Sequence, residues 1–256
     1  MKIFAIGDLH LSFTDTVDPA HWELVREHKS MGALFPVWRE HYRRLYEEWT
    51  AVVGREDAVL VPGDVSWGMR LDEARPDLDF LGLLNGRLIL IQGNHDYWWQ
   101  SISRVRRAMP PNVQAVQNDH VLVGDIAVCG TRGWTCPSDA RDDGDDRRIY
   151  QRELLRLEMS LASVRPGTAR KTIVLMHYMP TNEKHERSGF IDLLLAHGVN
   201  TVVYGHLHAA AGNHRLPDRA WGIAFHLVSA DYLDFRPALI DQTAGKGRGP
   251  FADRRY

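Results

Sequence analysis

The chain has 256 residues, enough for one large α/β domain with a full core. Hydrophobic residues make up 44% and charged residues 25%, as in ordinary globular proteins, and a net charge of −2 gives no electrostatic argument for nucleic acid or an anionic membrane as the main partner. Two cysteines, Cys129 and Cys136, are too few for a disulfide framework or a zinc knuckle, and no stretch approaches the roughly 20 apolar residues of a membrane span. The apolar start, Ile3 to Ile6, is too short for a signal peptide, so the expectation is a cytoplasmic protein with reduced thiols and no membrane partner.

Lys2 to Gly7 predicts a first strand, followed at once by Asp8-Leu9-His10. Leu11 to Met31 is irregular and long for a connection, and such loops are often functional. Phe35 to Val53 places Trp38, Tyr42, Leu45, Trp49 and Val52 at helical spacing, opposite a charged face. Ala58 to Pro62 predicts a second buried strand ending in Gly63-Asp64, and Leu71 to Leu84 a helix stopped near Gly86. The aliphatic run from Arg87 to Gln92 predicts a third strand that stops at Gly93 and delivers Asn94, His95 and Asp96. Tyr97 to Met109 predicts a helix capped by Asp96 and ended by Pro110-Pro111.

Val121 to Val123 and Ile126 to Val128, joined by Gly124-Asp125, have the two-residue connection of a β-hairpin. Thr131 to Arg148 is a polar loop whose acidic run, Asp142 to Asp146, predicts a solvated segment. Ile149 to Val164 and Phe190 to His197 are helical, while Thr172 to Met176 and Thr201 to Tyr204 are buried strands delivering His177 and Gly205-His206-Leu207-His208. Ala220 to Val228 and Phe235 to Ile240 predict late antiparallel strands. No repeat or linker divides residues 1–243, expected to form one domain, and residues 244–256 are a Gly- and Arg-rich tail. Strand and helix alternation argues for an α/β fold, and the hairpin and late strands argue for mixed sheets doubled into a sandwich.

The strand ends carry the chemistry: Asp8 and His10, Asp64, Asn94 and His95, His177, His206 and His208. Carboxylate, imidazole and amide donors without thiolate suit Mn, Fe, Zn or Co rather than a structural zinc. The i,i+2 spacing in Asp8-x-His10 and His206-x-His208 puts both side chains on one side of an extended segment. So many candidate ligands are too many for one ion and fit a pair sharing a bridging carboxylate.

The ordered set D-x-H, G-D, G-N-H-D, H and G-H-x-H resembles the calcineurin-like metallophosphoesterase superfamily over most of the chain, from Asp8 to His208. The resemblance implies a four-layer α/β/β/α sandwich with two divalent metals, Mn²⁺ foremost and Fe, Zn, Co or Ni as alternatives. It implies that Asp8, His10, Asp64 and His208 hold one metal, that Asp64, Asn94, His177 and His206 hold the other, and that Asp64 bridges. It further implies in-line attack on a phosphoester by hydroxide held at the metal pair, with His95 as general acid.

Protein phosphatases of the superfamily carry G-D-x-x-D-R-G at the second motif, whereas here Trp67 and Gly68 stand at the positions of the later Asp and the Arg. His95 argues against the superfamily's lipid-precursor pyrophosphatases, which have Arg at that position. A phosphodiesterase acting on a small phosphoester, with nucleotides as one class, is therefore expected ahead of a phosphomonoesterase or protein phosphatase. Asn94, Trp67, Arg132 and Tyr178 are candidate substrate contacts, the aromatic rings by stacking and Arg132 by donating to phosphate. The rivals are a non-catalytic scaffold, which should have lost ligands, and a nuclease, which should show a basic groove. Neither feature is present, and the oligomeric state is left open.

Overall fold

The computed structural model describes residues 1–137 and 144–244. Part of the polar loop and acidic run, at 138–143, and residues 245–256 of the tail lie outside the described residues.

Two mixed sheets form the centre. The first contains β1 (Lys2–Ala5), β2 (Ala58–Val61), β3 (Arg87–Leu90), β4 (Val113–Ala115) and β11 (Ala238–Gln242), in the order β11-β1-β2-β3-β4. The second contains β5 (His120–Val123), β6 (Ile126–Thr131), β7 (Lys171–Met176), β8 (Thr201–Tyr204), β9 (Arg219–Ala220) and β10 (Ile223–Leu227), in the order β5-β6-β7-β8-β10-β9. β1 to β4 run parallel, with β11 antiparallel to β1. In the second sheet β6, β7, β8 and β10 run parallel, while β5 and β9 are antiparallel to their neighbours.

The period-two alternation of aliphatic residues assigns each side chain to a layer. Ile3, Ala5, Ala58, Leu60 and Ile89 point inward and meet Ile126, Val128, Ile173, Leu175 and Val203 of the other sheet. Their strand neighbours Phe4, Val59, Val61, Leu88 and Leu90 face outward, against Leu45 and Trp49 of α1 (His41–Val52) and Leu78 and Leu81 of α2 (Arg75–Leu81). Val105 of α3 (Ile102–Ala108) joins the same layer. On the far side Val174, Met176, Val202 and Tyr204 pack against Leu157 and Leu161 of α4 (Gly144–Ala162) and Phe190 and Leu194 of α5 (Gly189–Ala196). The result is the expected α/β/β/α stack, in which each fully buried aliphatic side chain contributes about 1.5–3 kcal/mol.

The sheets touch where the functional motifs emerge. Beyond β1, Gly7 pairs in parallel with Ser229, beyond β10, through Gly7 N to Val228 O at 2.7 Å and Ala230 N to Gly7 O at 2.9 Å. The carboxyl ends of β1, β2, β3, β7 and β8 therefore open into one cleft, the place where open α/β sheets bind ligands.

Three helices begin later than their apolar spacing predicts. Before α1, residues Pro36–Trp38 form a 3-10 turn and Glu40 adopts φ 48°, which breaks the helical path. Before α3, Trp98 and Trp99 are buried in the core instead of continuing a helix. The segment preceding α2 is held in turns up to Ala74. β4 follows Pro110-Pro111 and has only three residues, too few for a sequence signal.

Candidate metal centre

Each motif sits just past a strand, in a loop fixed by backbone hydrogen bonds. Asp8 N donates to Gly63 O at 3.0 Å, His10 N to Asp64 O at 3.0 Å and Leu11 N to Val65 O at 2.9 Å, so the first two motifs are zipped together. The β2 and β3 loops touch because both carry glycine. A Cβ at Gly63, which has φ +94°, would lie 2.6 Å from Gly93 Cα. His177 N and Tyr178 N share Arg132 O at 3.1 and 3.0 Å, and Gly205 N reaches His177 O at 3.2 Å.

Four predicted ligands hold left-handed backbone: Asp8 at φ 55°, His10 at 48°, Asp64 at 53° and His206 at 69°. Non-glycine residues adopt this region rarely, and such strain clusters at functional sites.

Two sets of side chains come within metal-binding reach of one another: Asp8 with His10 and His208, and Asp8 with Asp64 and His177. Asp8 is common to both sets, and Asp64 Oδ2 of the second, 3.5 Å from His177 Nε2, also lies 3.8 Å from His10 Nε2 of the first. Asn94 joins through its Oδ1, 2.6 Å from His177 Nε2. His206 belongs to neither compact set. Its backbone N–H donates to both oxygens of Asp8, at 3.0 and 3.1 Å, and its ring centroid lies 5.1 Å from that of His177.

The hydrogen bonds decide where the lone pairs point. His177 Nδ1 faces Pro62 O at 2.9 Å, and a carbonyl only accepts, so Nδ1 carries the proton and Nε2 a lone pair. That lone pair faces Asn94 Oδ1, another acceptor. His208 Nδ1 likewise donates to Asp231 Oδ1 at 3.1 Å, and its Nε2 faces His10 Nε2 at 3.3 Å. His177 Nε2 and Asn94 Oδ1, two electron-pair donors aimed at one another within a buried cleft, fit a cation drawing on both, so the residues present suit a divalent metal.

Charge on the donors points the same way. Burial first, and Asp64 second, raise the Asp8 carboxyl to about 8. Burial raises Asp64 to about 6 against the backbone N–H of His95. Burial pulls His177 and His206 down to about 3 and His10 well below the usual range. For His208 burial works downward, but Asp231, Asp8 and Asp64 outweigh it and raise the group. Burial thus favours the neutral, ligating form of His10, His177 and His206, and the carboxyls await a compensating positive charge.

His95 stands beside this set. Its backbone N–H donates to Asp64 Oδ1 at 2.8 Å, and its ring lies 4.5 Å from Trp67 and 5.7 Å from His10 by centroid. Its Nδ1 is buried without a hydrogen-bond partner among the described residues. Burial lowers its pKa, Asp64 opposes, and Lys29 adds to the lowering. Trp67 stacks on His10 at 4.8 Å with an interplanar angle of 19°, so its ring is already engaged within the protein. Tyr178 packs on His206 at 4.2 Å and on Trp134 at 5.1 Å. The Arg132 guanidinium turns to Trp134, at 4.7 Å, and to Glu153 Oε1, at 3.7 Å, so its carbonyl rather than its charge serves the cluster.

Asp96 does not cap a helix. Its fully buried carboxylate accepts the N–H groups of Gly93 (2.7 Å), Asp64 (2.9 Å), Val65 (2.9 Å) and Ser66 (3.3 Å) and the indole N–H of Trp98 (2.9 Å). It ties the second motif to the third. Asp231 and Lys29 belong to no motif and were not expected, and only their place in the fold brings them to the site.

Stacked layers and clustered strand-end candidate ligands are the features of a metallohydrolase-type α/β/β/α protein. The profile of the calcineurin-like phosphoesterase family matches residues 1–210, and the chain belongs to that family. Among solved structures it is similar to a phosphopantetheinyl hydrolase from Mycobacterium tuberculosis, with 15% identity, 97% of this chain and 98% of that one covered, and a TM-score of 0.52. It is also similar to a protein of unknown function from Aquifex aeolicus, with 12% identity, 93% and 95% covered, and a TM-score of 0.47. No curated protein sequence matches the chain. Family membership and the donor set support a metal-dependent phosphoesterase acting on small phosphoester substrates. No helix among the described residues is long and apolar enough to cross a membrane.

Proposed function

We propose that the protein is a two-metal phosphodiesterase, with Mn²⁺ as the metal and nucleotides as a substrate class. The observation that carries the metal centre is the facing of lone pairs at His177 Nε2 and Asn94 Oδ1. Asp8, His10, Asp64 and His208 would hold one ion, and Asp64, Asn94, His177 and His206 the other. Bound there, the ions would supply Lewis acidity toward the phosphoryl oxygens and an acidified water.

The protein's own groups do the rest. Asp96 and the two loop glycines fix Asp64 and Asn94 relative to one another. His95, at the rim of the cluster and packed against Trp67, gives a proton to the departing oxygen. In protein phosphatases a carboxylate supports this histidine and an arginine grips a phosphate dianion. Here an indole makes the contact and Gly68 offers no charge, which favours a singly charged diester. The neighbour named a phosphopantetheinyl hydrolase adds phosphopantetheinyl esters to the substrates worth assaying.

The test is hydrolysis of bis(p-nitrophenyl) phosphate against p-nitrophenyl phosphate, with Mn²⁺ added to metal-stripped protein. Diester preference, and a loss of about 10²–10⁴-fold in kcat for His95→Ala with metal content unchanged, are expected. Monoester preference would reverse the diesterase assignment. No turnover of either ester with metal bound would favour a scaffold.

A further inference from the structure

The peptide joining Leu9 to His10 lies between two predicted ligands and is gripped at both ends. At one end His10 N donates to Asp64 O at 3.0 Å. At the other, Leu9 O lies 3.0 Å from Nε2 of His41, the first residue of α1. Leu9 and His41 are both fully buried, and among the described residues no backbone N–H reaches this carbonyl. A trans peptide is planar, with its N–H and C=O pointing opposite ways, so fixing both groups fixes the plane. That plane sets the φ of His10, which at 48° is left-handed and is disfavoured by the backbone itself.

The other nitrogen of His41, Nδ1, lies 3.1 Å from Trp38 O. Both partners are carbonyls, which only accept, and a neutral imidazole has a single N–H. The ring therefore gives its one proton either to the loop that carries the ligands or to the 3-10 turn before α1. The turn has other supports. Trp38 N donates to Phe35 O at 2.9 Å, and the Trp38 ring packs edge-on against Phe235 at 5.1 Å, His208 at 5.6 Å and His10 at 5.7 Å. The left-handed peptide has only its two hydrogen bonds, so the proton on Nε2 does more there than a proton on Nδ1 does at the turn.

We infer that His41 is a positioning residue for the metal centre: its Nε2–H holds the Leu9 carbonyl and so aims His10 at the point it shares with Asp8 and His208. This rests on the metal-centre reading of the site. His41 belongs to neither compact ligand set and acts through the backbone of the loop. The second motif holds the Leu9–His10 peptide from the β2 side and α1 holds it from the other, which keeps an imidazole on a backbone it would not adopt alone. A side chain that merely filled this space could be replaced by any of like size, whereas a donor directed at Leu9 O could not.

The experiment titrates Mn²⁺ calorimetrically into metal-stripped wild type, His41→Gln, His41→Asn and His41→Leu. The amide nitrogen of glutamine reaches the place of Nε2, and that of asparagine the place of Nδ1. His41→Gln should keep most of the Mn²⁺ affinity, while His41→Asn and His41→Leu should lose about 10–100-fold. Glutamine and asparagine share their chemistry, so a role in packing or general stability would not set them apart in this direction. Equal losses in the two amide variants, better rescue by asparagine, or unchanged affinity in all three would overturn the inference while leaving the metal centre in place. Wild type that binds no Mn²⁺ would remove the metal-centre reading and this inference with it. Should the variants unfold, the wild-type ring supplies a second reading. Its ¹⁵N correlation spectrum should show a proton on Nε2 of His41, and a ring protonated on Nδ1 alone would overturn the inference.

Discussion

Asp231 Oδ1 accepts a hydrogen bond from His208 Nδ1 at 3.1 Å across 23 residues of chain, and the other oxygen of the same carboxylate accepts the backbone N–H of Ala209 at 3.0 Å. The carboxylate therefore sets both the ring orientation and the tautomer of a predicted ligand. Asp231→Ala should weaken metal binding by about 10–100-fold, with Asp231→Asn in between, while the fold is retained. Direct titration of Mn²⁺ into stripped protein measures this, and an unchanged affinity would mean that His208 is not a ligand.

Gly205 bears on the same cluster from the other side. A Cβ at this position would collide with the Asp8 carboxylate. Asp8 is fully buried and receives His206 N on both oxygens, so it has nowhere to move. Gly205→Ala should cut activity by at least about 100-fold through displacement of Asp8. Metal retained after dialysis should fall in parallel, which separates this effect from a defect in substrate binding.

Asp77 offers a test by pH. Its buried carboxyl accepts the Phe13 N–H at 2.7 Å and the Ser66 hydroxyl, and burial raises it to about 7 against both hydrogen bonds. The folded chain then holds a proton that the unfolded chain releases near 4, so this group's contribution to stability is full below that pH and declines as pH rises toward 7. Asp77→Asn keeps an acceptor for Phe13 and offers an amide to Ser66 without a charge. Urea unfolding between pH 4 and 7 should show a decline shallower by on the order of 2 kcal/mol in the variant. Parallel curves would mean that Asp77 titrates normally.

The strands and their terminal motifs were legible because burial on both faces enforces continuous aliphatic runs, as in Ala58–Val61 and Thr201–Tyr204. Local chemistry at those ends also marked the candidate ligands, of which Asp8, His10, Asp64, His177 and His208 come within metal-binding reach of one another. Helix starts were less legible, since the aromatic residues that suggested them, Trp38, Trp98 and Trp99, are buried for reasons unrelated to helical phase. Asp96 stood in plain view beside His95, but an aspartate before an apolar stretch has the same local signature whether it caps a helix or gathers N–H groups from a loop 30 residues earlier. Asp231 and Lys29 had no local signature at all. One reaches the site through the crossover after β10, the other through the pairing of Leu11–Phe13 with residues 27–29, and both depend on tertiary register.

The left-handed backbone at Asp8, His10, Asp64 and His206 has a bearing on how the protein could change over time. Each such residue costs on the order of 1–3 kcal/mol, sustained by the hydrogen bonds of the surrounding loops before any ion arrives. The cleft is a sprung mould rather than a purse closed by its contents, so loading should be quick and leave the backbone nearly still. The same geometry narrows the routes by which ligands can be lost. Glycine relieves the strain as it removes a donor, and asparagine relieves it while leaving only a neutral amide oxygen, whereas valine or isoleucine would add to it. A lineage that abandoned catalysis would therefore gain stability at these positions first, and its descendants would carry asparagine or glycine where this chain has aspartate and histidine.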